Sequence, residues 1–119
     1  MHTKKVMIVE DEAITALFLE RNISKLGYAV CHVTDTGEDA VSFAQNNPID
    51  CVIMDIRLKG PMDGIDAGAS INHSIPIIYY SAFVDKETMN RLRAQPHHAI
   101  LEKPASFEDI AQTIAEAVH

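Results

Sequence analysis

Residues 51–60 read CVIMDIRLKG: four apolar residues, Cys51 to Met54, run directly into a carboxylate, Asp55. A short run with no polar face suits a strand buried on both sides, and such strands belong to parallel sheets covered by helices. The same pattern recurs along the chain. Val6 to Val9 runs into Glu10-Asp11-Glu12, a fourth apolar run ends at Ser81, and a fifth ends in Glu102-Lys103-Pro104.

Working outward from Asp55, the chain reads as five repeats of an apolar run followed by a helical stretch, with no linker between them. Strands are expected near residues 5–9, 28–33, 51–54, 76–80 and 99–102, and helices near 12–26, 37–46, 64–71, 85–94 and 107–118. Gly27 is placed to end the first helix in a left-handed conformation, and Ser106 with Asp109 three residues on resembles a capping box. Five strand–helix units predict a doubly wound parallel α/β sandwich, whose ligand site lies outside the carboxyl ends of the strands.

Composition sets outer bounds. A chain of 119 residues with 47% apolar content is the size of one domain with one core, and the whole of residues 1–119 is expected to be that domain, with no output domain after it. The net charge of −7 speaks against a nucleic-acid surface, which needs clustered cations. Only Val6 to Val9 separate Lys4-Lys5 from the first acids, too short a run for a signal peptide. The stretch from Ile75 to Val84 is too short for a bilayer span. Cys31 and Cys51 lie in strand-like runs, where a free thiol serves as a small hydrophobe. These readings together predict a cytoplasmic protein.

If the sheet is as expected, Glu10, Asp11, Asp55, Ser81 and Lys103 share one edge. Converging carboxylates repel and raise one another's pKa, a cost that a divalent cation removes. Hard oxygen ligands with room for water suit Mg²⁺. A lysine and a hydroxyl beside such a cation make sense around a phosphoryl group, whose oxygens want several positive or donating partners. Asp55 would then be a nucleophile.

Taken together, Val9-Glu10-Asp11-Glu12, Met54-Asp55, Met62-Asp63-Gly64, Ser81-Ala82 and Lys103-Pro104 are similar, in order and spacing, to the motifs of response-regulator receiver domains of bacterial two-component signalling. The resemblance covers essentially the whole chain. It implies a (βα)₅ flavodoxin-like fold with strand order 2-1-3-4-5 and a cis Lys103-Pro104 peptide. It implies that Asp55 accepts a phosphoryl group from a histidine kinase or histidine phosphotransfer protein, as a switch with only slow self-dephosphorylation. Mg²⁺ would be bound by Asp11, Asp55 and the Arg57 backbone carbonyl, with Glu10 reaching it through water. Lys103 and Ser81 would contact phosphoryl oxygens, and Asp63-Gly64 would be a turn and helix start. A homodimer or a downstream effector protein would be the further partner, and neither nucleic acid nor membrane would be contacted directly.

Two other classes use similar sheets. A haloacid-dehalogenase-like phosphatase carries a second aspartate two residues after its nucleophile, where this chain has Arg57. A flavodoxin-type flavin carrier needs a neutral, hydroxyl-rich loop after the first strand, where this chain has Glu10-Asp11-Glu12. The chain also departs from the receiver pattern. Ile100 stands at the usual aromatic switch position, so the response is expected to run through Ser81 and the Ala82-Phe83-Val84 loop to the face formed by the fourth helix, fifth strand and fifth helix. The third helix, with Gly68 and few large apolar residues, is expected to be short and weakly held. Along the first helix, at about 100° per residue, Ala16, Leu19, Ile23 and Leu26 share the core side and Ile14, Leu17 and Phe18 the other. The six histidines show no metal-ligand spacing and are expected on the surface or in loops.

Overall fold

The computed structural model describes residues 3–82 and 84–119. Among them five strands alternate with five helices: β1 (Lys5–Val9), α1 (Ala13–Lys25), β2 (Ala29–Thr34), α2 (Gly37–Asn46), β3 (Cys51–Met54), α3 (Gly64–Ser70), β4 (Ile77–Ser81), α4 (Lys86–Arg93), β5 (Ala99–Glu102) and α5 (Phe107–Val118). The strands form one sheet in the order β2-β1-β3-β4-β5, and each neighbouring pair is parallel. This is the doubly wound parallel sandwich that the alternation predicts, and its flavodoxin-like strand order and cis Lys103-Pro104 peptide are those that the resemblance implies.

Side chains alternate across the sheet because successive strand residues point to opposite faces. Met7, Val9, Val52, Met54, Ile77 and Tyr79 meet Ala40 of α2, Ile65 and Ala67 of α3, and Leu92 of α4. Val6, Ile8, Cys51, Ile53, Ile78 and Tyr80 meet Leu19 and Ile23 of α1 and Ile110 and Ile114 of α5. Burying one such aliphatic side chain contributes about 1.5–3 kcal/mol, so these two layers dominate the stability. Ile14, Leu17 and Phe18 stay exposed on α1, on the side opposite the buried Ala16, Leu19 and Ile23.

Local chemistry sets the helix ends. Thr36, Asp63, Asp85 and Ser106 each accept a hydrogen bond from the backbone N–H three residues on, capping α2, α3, α4 and α5. Gly27 follows α1 at φ +93° and donates its N–H to the Ser24 carbonyl at 3.0 Å. Glu12 starts α1 without a side-chain cap; its own N–H is taken by the Glu10 carboxylate at 3.0 Å.

One expectation changes, at α3, and one detail is new, at His32. His32 falls within the expected second strand and stays partly exposed, and the β1–β2 register there passes from Val6↔Val30 to Met7↔His32, a bulge that skips Cys31. The bulge turns His32 toward α2, where it bonds Asp39 at 2.6 Å and stacks on Phe43. Helix α3 is short, but its small residues mark close packing rather than a weak hold. A Cβ at Gly64 would run into the Asp55 carbonyl, and one at Gly68 into the Tyr79 hydroxyl. Arg91 of α4 further ties the amino end of α3 through Asp63 at 2.9 Å and Asp66 at 3.1 Å. Phe83, in the loop after Ser81, lies outside the described residues.

Candidate functional site: an acidic pocket at the carboxyl edge of the sheet

The carboxyl ends of β1, β3, β4 and β5 converge, and each delivers one of the residues singled out in the sequence. Glu10 follows β1, and its N–H continues the ladder to the Thr34 carbonyl at 2.9 Å. Asp55 follows β3, with its N–H on the Val9 carbonyl at 2.8 Å. Both acids are held by the sheet itself and are buried, 3% and 6% exposed. Ser81, also buried, closes β4, and Lys103 follows β5 with its N–H on the Ser81 carbonyl at 2.9 Å.

The buried charges answer one another. Lys103 Nζ donates to Glu10 Oε1 at 2.7 Å and Asp55 Oδ2 at 3.0 Å, with Glu12 Oε1 at 4.0 Å. The remaining oxygens accept backbone donors: Asp55 Oδ1 takes the Ile56 N–H at 2.7 Å, and Glu10 Oε2 takes that of Glu12. Burial pushes the Glu10 carboxyl up to about 7, more than its bonds to Lys103 and the Glu12 N–H pull it down, and nearby Asp55 adds to the rise. Burial works against the Lys103 ammonium, but its bonds to Glu10 and Asp55 outweigh that and raise it above the usual lysine value.

One lysine does not balance this cluster. Glu10, Asp11 and Asp55 each bring a carboxylate oxygen to a group lying within 4.8 Å of one another, so the donor set fits a hard divalent cation. A cavity of about 540 Å³ opens beside them, lined by Asp11, Glu12, Asp55, Arg57, Ser81, Ala82 and Lys103. The fold thus brings together every site residue expected from sequence, with Arg57 exposed at the rim.

Sequence reasoning treated Gly64 as a turn residue. It is also the seat of the phosphoacceptor candidate: its N–H donates to the Ile56 carbonyl at 2.7 Å, and its Cα packs on the Asp55 backbone. A glycine opening a helix is a poor helix former, and that local mismatch was the signal available.

Fold and site define a flavodoxin-like α/β domain with a metal-competent carboxylate pocket at the carboxyl edge of its sheet. A family model described as the response regulator receiver domain matches residues 6–115, and the chain belongs to that family. Receiver domains are phosphorylation-activated signalling switches of bacterial two-component systems. The transcriptional regulatory protein PdtaR of Mycobacterium tuberculosis is 33% identical over 117 residues, covering 97% of this chain and 57% of the relative. This chain therefore spans little more than half of that protein. The polar-differentiation response regulator DivK of Brucella ovis is 30% identical over 118 residues and covers 94% of each chain. Among solved structures, the signal receiver domain of a modulated diguanylate cyclase from Desulfovibrio desulfuricans G20 superposes with a TM-score of 0.93 at 32% identity, over 99% of this chain and 95% of that one. A response regulator receiver protein from Sinorhizobium medicae gives 0.87 at 26% identity, over 98% and 95%.

Proposed function

We propose that this domain is a switch thrown by phosphorylation of Asp55. An Asp55 carboxylate oxygen forms the new bond to phosphorus as the bond to a phosphohistidine nitrogen breaks, leaving an acyl phosphate. The observation that carries this reading is the buried Asp55 carboxylate, open to the cavity and 3.0 Å from Lys103 Nζ. Lys103 stays protonated and exchanges its carboxylate partners for a phosphoryl oxygen, Ser81 donates its hydroxyl to another, and Gly64 holds the Asp55 backbone in place.

Mg²⁺ would be held by Asp11, Asp55 and the Arg57 backbone carbonyl, with Glu10 acting through water; the clustered Glu10, Asp11 and Asp55 oxygens support this. When bound, it supplies positive charge that offsets the clustered carboxylates and the incoming phosphoryl group. Arg57 occupies the place where a phosphatase of this chemistry carries its general acid, which supports a held phosphoryl over rapid turnover. The exposed Ile14, Leu17 and Phe18 on α1 support docking of a histidine kinase or phosphotransfer protein there, in the cytoplasm.

Incubation with Mg²⁺ and acetyl phosphate, followed by intact-protein mass measurement, tests the reading. One phosphoryl group is expected on the wild type and none on Asp55→Asn. An unchanged signal in the variant refutes the assignment. Phe18→Glu is expected to slow transfer from a cognate partner while leaving acetyl phosphate labelling intact.

A further inference from the structure

Tyr80 and Ser81 are the last two residues of β4, so their side chains leave opposite faces of the sheet. Ser81 lines the cavity beside Asp55, while Tyr80 enters the layer beneath α1 and α5, where it is 3% exposed. A tyrosine buried there needs a partner for its hydroxyl. It has one in the Ala105 N–H, which donates to Tyr80 Oη at 3.3 Å. The face of the same ring lies 5.4 Å from Lys103 Nζ, within the reach of a cation–π contact. With the Lys103 N–H on the Ser81 carbonyl, residues 103–105 are fixed to the end of β4 at three points.

The ammonium has two carboxylates in hydrogen-bonding range and Glu12 at 4.0 Å, and its four-carbon stem is flexible. Something must keep it ready for a phosphoryl group on Asp55 rather than settled wholly on Glu10. We propose that Tyr80 is the positioning residue for Lys103: its ring attracts and confines the ammonium, and its hydroxyl fixes Ala105 and the chain behind it. The proposal rests on reading Asp55 as the phosphoacceptor. With acetyl phosphate, the Asp55 oxygen–phosphorus bond forms as the phosphorus–acetyl oxygen bond breaks, acetate leaves, and Lys103 keeps its proton throughout. Placing that charge beforehand is worth more than letting it find its place during transfer.

The test is the initial rate of phosphoryl uptake from acetyl phosphate in Mg²⁺, in two backgrounds. Tyr80→Leu is expected to slow uptake about tenfold, between the worth of an exposed and of a desolvated cation–π contact. Tyr80→Phe keeps the ring and is expected to stay within about threefold of wild type, having lost only a neutral hydrogen bond. In a Lys103→Met background, Tyr80→Leu is expected to change the residual rate by less than about twofold, because the two act as one unit. If circular dichroism shows Tyr80→Leu unfolded, pentafluorophenylalanine at position 80 keeps the shape, reverses the ring's charge distribution and is expected to reproduce the loss. A wild-type rate in Tyr80→Leu, or in the fluorinated protein where that replaces it, overturns the proposal; so does an equal loss in both backgrounds. Failure of the wild type to take up phosphate overturns the phosphoacceptor reading instead.

Discussion

Replacing Gly64 by alanine tests how the Asp55 backbone is held. The new Cβ would fall 2.9 Å from the Asp55 carbonyl carbon and 3.0 Å from Ile56 Cα, and closer still to the Asp55 carbonyl oxygen. All three are backbone atoms, so no side chain can turn aside to make room. Either α3 or the chain after β3 must move. Overpacking of this kind costs about 1–3 kcal/mol. Movement also breaks the buried 2.7 Å bond from the Gly64 N–H to the Ile56 carbonyl. A buried polar group left unpaired adds about 1–3 kcal/mol. The sum, about 4 kcal/mol, is a large part of the 5–15 kcal/mol typical of a domain. Gly27→Ala is the control: its φ of +93° makes an L side chain strained, but nothing lies within 4 Å of the added Cβ. Left-handed strain of about 1–2 kcal/mol, partly offset by a stiffer unfolded chain, leaves a net cost near 1 kcal/mol. Urea unfolding followed by circular dichroism is then expected to place the Gly64→Ala midpoint roughly 2 M below wild type and Gly27→Ala well under 1 M below, at ordinary slopes. Gly64→Ala should also slow phosphoryl uptake at Asp55. Equal midpoints for the two variants would refute the close-approach argument.

Four further outcomes are expected. In urea unfolding with EDTA or with Mg²⁺ at a hundredfold excess over its dissociation constant, the ion adds about 2.7 kcal/mol to wild type and little to Asp11→Asn; an equal gain in both would remove Asp11 from the metal site. Burial alone would raise the Asp63 carboxyl, yet the bonds from Arg91 and the Asp66 N–H bring it below the usual aspartate value. A lowered carboxyl contributes stability above the unfolded-state value of 3.8 and loses it as pH falls through the lower folded value. The gap in urea midpoint between wild type and Arg91→Ala should therefore be constant at neutral pH and narrow as pH falls below 3.8; a gap that does not narrow at all on acidification would contradict it. Burial pushes the Cys51 thiol up to about 12, so maleimide labelling of the native protein at pH 8 should reach the half-buried Cys31 slowly and Cys51 only after unfolding, with Cys51 labelling first as the refuting result. On addition of beryllium fluoride, NMR shift changes should spread from Lys103 into α4; Ser81→Ala should suppress the distant part and Ile100→Val should not, whereas the reverse would put the switch in β5.

Much of this protein was legible in the chain because its signals are local. An apolar run bounded by acids and a serine before a helix act within a few residues, and expected and observed limits coincide for β1, β3, β5, α2 and α5. The acids and the lysine at strand ends became a candidate site as soon as the strands were taken as parallel, since a parallel sheet gathers all its carboxyl ends on one edge. Features that depend on what lies across a gap were not legible. Gly64 reads as a turn until the Asp55 carbonyl is found against it, and Tyr80 reads only as the end of a strand until the Lys103 ammonium is found over its ring. The β2 bulge that turns His32 onto Phe43 exists only relative to the register of β1. The chain alone carried the apolar strands and the acids and lysine that follow them, because hydrophobicity and backbone preference belong to each residue and its near neighbours. Tertiary structure alone decided which backbone a glycine rests against and which charge a ring confines, because those depend on distances between segments that meet only when the sheet is assembled.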